Sequence, residues 1–135
     1  MTEMKLKYGS VVGTSLPFEQ ALARTRDLLK AEGFGVLTEI DVAKALKEKR
    51  GVNFQPYVIL GACNPDYAHQ ALQAEEQLGL LLPCNVVVTV HDGKTKVSAV
   101  DATAMLGIVG GQELLRIADE VNERLHHVLE RIAIE

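Results

Sequence analysis

Cys84-Asn85-Val86-Val87-Val88-Thr89-Val90-His91-Asp92-Gly93-Lys94-Thr95-Lys96-Val97-Ser98-Ala99-Val100 is the stretch that decides the fold. Two β-branched runs flank Asp92-Gly93, the strongest short-range signal for a two-residue hairpin turn. Pairing the strands about that turn sets Val88 opposite Val97 and Cys84 opposite Asp101. Cys84, Val86, Val88, Val97 and Ala99 then share one face, and Thr89, Lys96 and Ser98 the other. The apolar set belongs in the core, and Cys84 goes with it.

Working outward, Leu114, Ile117, Ala118, Val121, Leu125, Val128 and Ile132 keep a three-to-four spacing that predicts a closing helix of about 20 residues. On the N-terminal side, Tyr57-Val58-Ile59-Leu60 is an apolar run without alternation, a strand covered on both faces. After it, Asn64 supplies a cap, Pro65 suits the first helical position and Asp66 the positive helix end, so Tyr67 to Glu75 reads as a short helix with Ala68, Ala71 and Leu72 inward. Leu78 to Leu82 reads as extended chain or a turn. Leu6 to Val12 is a first strand. Ser15 offers a cap to a helix whose face is Phe18, Ala21, Leu22, Thr25, Leu28 and Leu29, and Gly33 stops it. Phe34 to Ile40 is a second strand. Asp41 caps a short helix with Val42, Ala45 and Leu46 inward, ending at Gly51. Hairpins with segregated helices define an α+β domain with a mainly antiparallel sheet, two long helices and two short ones, in a single domain over 1–135.

Composition excludes several functions. A chain of 135 residues, 47% apolar and 24% charged, has the balance of an ordinary globular domain. A net charge of −4, with no Trp, three Phe and three Tyr, gives neither the basic footprint nor the stacking platforms that nucleic acid needs. No apolar stretch reaches the roughly 18–20 residues of a membrane span, and the N-terminal residues carry no apolar signal core. The expected location is the cytoplasm, where thiols stay reduced.

The only two cysteines, Cys63 and Cys84, each precede an asparagine and each sit at an element end. Cys63 adjoins a helix start, where the dipole favours a thiolate able to attack or to ligate. Cys84 points inward, and burial makes a thiol inert. Each also reads simply as a small buried residue. The spacing is not Cys-x-x-Cys, so neither a dithiol motif nor a zinc knuckle is indicated. His69, on the helix after Cys63, is the best placed imidazole for a metal held with Cys63 and Cys84. His91 and the adjacent His126 and His127 read as solvated. Asn64 and Asn85 can orient a ligand, though a capping role explains Asn64. Asp101 can serve as a base or as a turn residue. Gly107, Gly110 and Gly111 lack the spacing and the βαβ unit of a dinucleotide fingerprint and read as a hinge. No cofactor is specified.

Gly33-Phe34-Gly35-Val36, Glu39-Ile40-Asp41-Val42, Tyr57-Val58-Ile59-Leu60-Gly61-Ala62-Cys63-Asn64-Pro65 and Gly79-Leu80-Leu81-Leu82-Pro83-Cys84-Asn85-Val86-Val87-Val88 occur in an order that resembles the prokaryotic domain of unknown function family DUF302. Ser98-Ala99-Val100-Asp101 and Met105-Leu106-Gly107 extend the likeness, although Ala102 stands where relatives often carry proline. The resemblance implies a single copy of a TATA-binding-protein-like fold with a curved antiparallel sheet, and a homodimer. It implies no activity, and fold alone supplies none. Apolar surface near Leu78 to Leu82 is expected to meet the second copy. Three functions stay open. One is a dimeric module binding a small molecule or metal at Cys63, Asn64, Cys84, Asn85 and Asp101. Another is a redox or sulfur-transfer enzyme with Cys63 as nucleophile and Cys84 as partner. The last is an interaction domain whose cysteines only pack.

Overall fold

In the computed structural model, which describes residues 3–135, the chain reverses at Asp92–Gly93 with both residues at positive φ, 51° and 75°. That is the backbone of a type I′ turn, whose twist matches the strands it joins. Met1 and Thr2, part of the segment read as lacking a signal core, lie outside the described residues. Among those described, six strands form one sheet: β1 (Met4–Leu6), β2 (Gly9–Thr14), β3 (Gly35–Asp41), β4 (Tyr57–Cys63), β5 (Cys84–His91) and β6 (Lys94–Val100). Their order is β1-β2-β6-β5-β4-β3, and every neighbouring pair is antiparallel. Val88 faces Val97 as predicted, and Cys84, Val86, Val88, Val97 and Ala99 are all buried.

Two long helices pack on that buried face. α1 (Phe18–Ala31) presents Ala21, Leu22, Thr25, Leu28 and Leu29, and α5 (Gln112–Ala133) presents all seven of the apolar positions read from its spacing. Both helices touch the sheet and each other. Each large side chain so buried contributes about 1.5–3 kcal/mol by leaving water, so the apolar stripe, more than propensity, fixes these helices. α1 stops at Gly33, φ 87°, where Phe34 N–H donates to the Leu29 carbonyl and Gly33 N–H to that of Lys30. This paired closure satisfies carbonyls the helix leaves open, and it needs a left-handed residue. α2 (Val42–Arg50) and α3 (Pro65–Ala74) begin where expected: Asp41 accepts from Lys44 N–H, and Asn64 from Asp66 and Tyr67 N–H.

Several expectations need correction. The segment Leu6 to Val12 is not one strand but the hairpin β1–β2, turning at Lys7 and Tyr8 with Leu6 opposite Gly9. Neither turn residue carries the Asn-Gly type of signature, so the reversal left no mark in the sequence. Ser15 does not cap α1, which has Pro17 at its cap and no side-chain cap bond; the Ser15 N–H instead donates to the Glu135 carbonyl. Leu72 is exposed, and Val42, Ala45 and Leu46 are only half-buried on α2, which packs chiefly against β4. Glu76–Leu80 forms a 3-10 turn. A fifth α-helix, α4 (Ala102–Leu106), which no periodicity in the sequence announces, has its start capped by Asp101 and ends just before the glycines Gly107, Gly110 and Gly111. Asp101 therefore lies beyond the end of β6. The hairpin ladder closes at Val86–Ala99, and the cross-strand partner of Cys84 is Ala62 on β4.

Candidate functional site

At one rim of the sheet β4 ends and α3 begins, beside the start of β5. Cys63 is the last residue of β4, and Cys84 is the first of β5. Because Ala62 pairs with Cys84, Cys63 stands one step along the neighbouring strand, with Cα atoms roughly 6 Å apart from strand spacing and rise. Side chains one step apart ordinarily face opposite sides of a sheet. Here β4 gives way to α3 at Asn64, and both cysteines line one cavity of about 30 Å³. Its walls are hydrocarbon from Ala68, Ala71, Pro83 and Leu106, with Asn64 and Tyr67 at its edge.

The close approach of the strands at this rim is permitted by Gly61. A Cβ there would collide with Thr38 Oγ1 and lie 2.9 Å from Pro83 Cγ. Thr38 follows an irregularity in the β3–β4 register between Val36 and Thr38, so the bulge and the glycine belong together. Beyond the cavity, Arg124 of α5 reaches over. Its Nε donates to Tyr67 Oη at 3.3 Å, its Nη1 donates to the Glu32 carbonyl at 3.0 Å, and its guanidinium carbon sits 5.5 Å from the Tyr67 ring centroid. Arg124 and Tyr67 were not singled out from the sequence. On α5, Arg124 occupies one of many polar positions, and only the fold reveals that it turns toward α3.

The electrostatics of the two thiols run one way. Burial pushes Cys63 above its ordinary value of 9.0, opposite to the direction a helix start by itself favours. Cys84 is pushed up to about 11, by burial first and then by the neighbouring Cys63. No lysine, arginine or histidine is among the residues lining the cavity. At neutral pH both sulfurs are therefore protonated thiols in an apolar setting.

The other predicted site residues do not converge here. His69 is exposed on α3 and does not line the cavity. Asn85 is exposed, opposite Gly61. Asp101 accepts from Thr103 and Ala104 N–H and from Asn122 Nδ2. Burial raises its pKa, but those bonds together with Lys5 outweigh that and hold it below the ordinary carboxylate value. It lines a separate, open hollow of about 380 Å³ between α5 and the β2–β6 side, with Lys5, Asn122 and His126. His91 bonds Gln55, His126 lies near Glu3 and Glu130, and His127 near Glu32. Among the described residues, no group of three or more His, Cys, Asp or Glu side chains is arranged to hold a metal ion. Among the same residues, no helix is long and apolar enough to cross a membrane.

An α+β unit with one open antiparallel sheet and a thiol-lined rim is the class that fold and site define. The family profile described as "Domain of unknown function DUF302" matches residues 11–132, and the chain belongs to that family. Among solved structures it is similar to an uncharacterized conserved DUF302 protein from Bacillus stearothermophilus. The two share 35% identity and a TM-score of 0.86, over 92% of this chain and 97% of that one. No curated protein matches the chain.

Proposed function

We propose that this protein is a small binding module whose working site is the cavity shared by Cys63 and Cys84, and that it works as a pair of copies. One observation carries the reading: the two cysteines, twenty-one positions apart in sequence, line the same apolar recess. Asn64 holds α3 at the edge of that recess, and Tyr67, braced by Arg124, borders it. A cavity of about 30 Å³ has room for one or two non-hydrogen atoms, so the guest is compact or enters with only its tip. No general base lines the recess, and both thiols are held protonated, so binding is favoured over nucleophilic catalysis.

The test treats the pre-reduced protein, freed of reductant, with methyl methanethiosulfonate, a small uncharged thiol reagent, followed by mass spectrometry of the intact protein with no further reduction. The expected result is one adduct per chain, on Cys63, which then shields Cys84. Independent modification of both thiols, at rates also matched by a bulky charged reagent, would overturn the shared recess. For the pair of copies, the support is exposed apolar surface beside the recess: Leu80 is 83% exposed and Leu72 41%.

A further inference from the structure

We propose that the Cys63–Cys84 recess takes a single soft monovalent cation of the copper(I) class, held by the two sulfurs alone. This inference rests on the binding reading above and names its ligand class.

The donor set supplies the argument. Sulfur donors select soft metals, whereas calcium and magnesium need six or more oxygens and structural zinc needs four nitrogen or sulfur ligands. The recess offers two sulfurs and no third metal-binding side chain. Its two other polar groups are engaged elsewhere: Asn64 Oδ1 accepts from the Asp66 and Tyr67 N–H groups, and Tyr67 Oη accepts from Arg124. An ion content with two ligands is therefore the one that fits, and d10 monovalent cations are of that kind. The space of about 30 Å³ is enough to seat one such ion.

The charge also closes. Binding breaks two S–H bonds and forms two S–metal bonds: M⁺ plus two R–SH gives [RS–M–SR]⁻ and two H⁺, which pass to solvent. No electron is transferred. The resulting negative charge lies at the N-terminal end of the ten-residue α3, whose dipole favours an anion there. The Arg124 guanidinium stands over Tyr67 at the same edge, and a Cβ at Gly33 would meet both Asn64 Nδ2 and Arg124 Nη1, at 3.0 and 3.7 Å. Asp66 in the first turn of α3 is exposed and faces water.

Anaerobic titration of the reduced protein with copper(I), against bathocuproine disulfonate as competing chelator, tests the inference. The expected result is one ion per chain, release of two protons per ion in weakly buffered solution, and protection of both cysteines from methyl methanethiosulfonate. Cys63→Ser and Cys84→Ser should each weaken binding by more than the roughly 10–100-fold typical of losing an outer-shell partner. Cys63 is half-exposed, so its serine variant keeps the core intact and reads the ligand loss even where Cys84→Ser impairs folding. Retention of copper(I) by either serine variant, equal competition by zinc, or half an ion per chain bridging two copies through Cys63 would each overturn it. If the single-adduct pattern holds while copper(I) is not taken, the cation assignment fails and the shared recess stands; if both thiols also react independently, both fail.

Discussion

Thr25 is fully buried on the inner face of α1, yet among the described residues its hydroxyl meets no hydrogen-bond partner. An orphaned hydroxyl in a low-dielectric core costs stability that an isosteric methyl does not. Thr25→Val should therefore raise the unfolding free energy by about 1 kcal/mol, read as an unchanged m-value with a higher urea midpoint. An unaltered or lower midpoint would mean that the hydroxyl finds a partner after all. Cys84 makes a second prediction at this scale. Its folded-state pKa of about 11 lies above the ordinary 9.0, so the folded protein holds a proton that the unfolded chain gives up. Stability is then full below about pH 9 and falls as pH rises toward 11. Cys84→Val should flatten that alkaline decline. Equal slopes in both proteins, measured by urea melts across the window, would contradict the buried thiol.

Two caps govern the elements around the recess. Asn64 closes the start of α3 next to Cys63, and Asp101 closes the start of α4 while bonding Asn122 of α5. Asn64→Ala should cost about 1 kcal/mol by the usual value of a cap, and should speed modification of Cys63 as α3 frays. Asp101→Ala should cost a similar amount at neutral pH. Because its bonds depress the carboxyl pKa, that contribution is present above the unfolded value and disappears as pH falls through the folded one. The gap between wild type and variant should accordingly close in acid. These caps show what the sequence made legible. Asn64-Pro65-Asp66 and Asp41 carried side chains whose chemistry is local, as did the Asp92-Gly93 turn, so the elements they begin or reverse were readable. The β1–β2 reversal was not, since Lys7-Tyr8 has no turn preference and the hairpin is held by β6. Register arithmetic sets Asp101 opposite Cys84 only because it extends strands indefinitely. The chain instead leaves the sheet at Ala102 to make α4, a consequence of Asp101 capping that a strand count does not contain.

For the whole molecule, the arrangement of layers decides how copies meet. The helices α1 and α5 cover one face of the sheet, and on the other Val87 and Ile59 stay half-buried with Ile40 half-exposed. The pairing proposed through the α3 and 3-10 turn region makes a definite forecast. Leu80→Glu should shift the protein from two copies to one in light scattering, because that side chain is 83% exposed in the single copy and its change leaves the monomer core untouched. A dimer that survives the substitution would place the contact elsewhere, as on the sheet face that carries Ile40, Ile59 and Val87. That the two thiols share a recess was itself an expectation no local signal could secure. It depended on Ala62 pairing with Cys84, a register fixed by the entire sheet.

The two margins of that sheet bear on how assemblies of this protein can grow. One margin is β1, three residues long with Lys5 at its centre; the other is β3, broken by the irregularity near Leu37 and carrying Glu39 tied to Arg26. Short, kinked and charged borders are poor templates for an incoming strand. Fibre-like stacking through hydrogen-bonded edges is thus closed off at both ends, and concentrated solutions of the native protein should stay clear of ordered polymers.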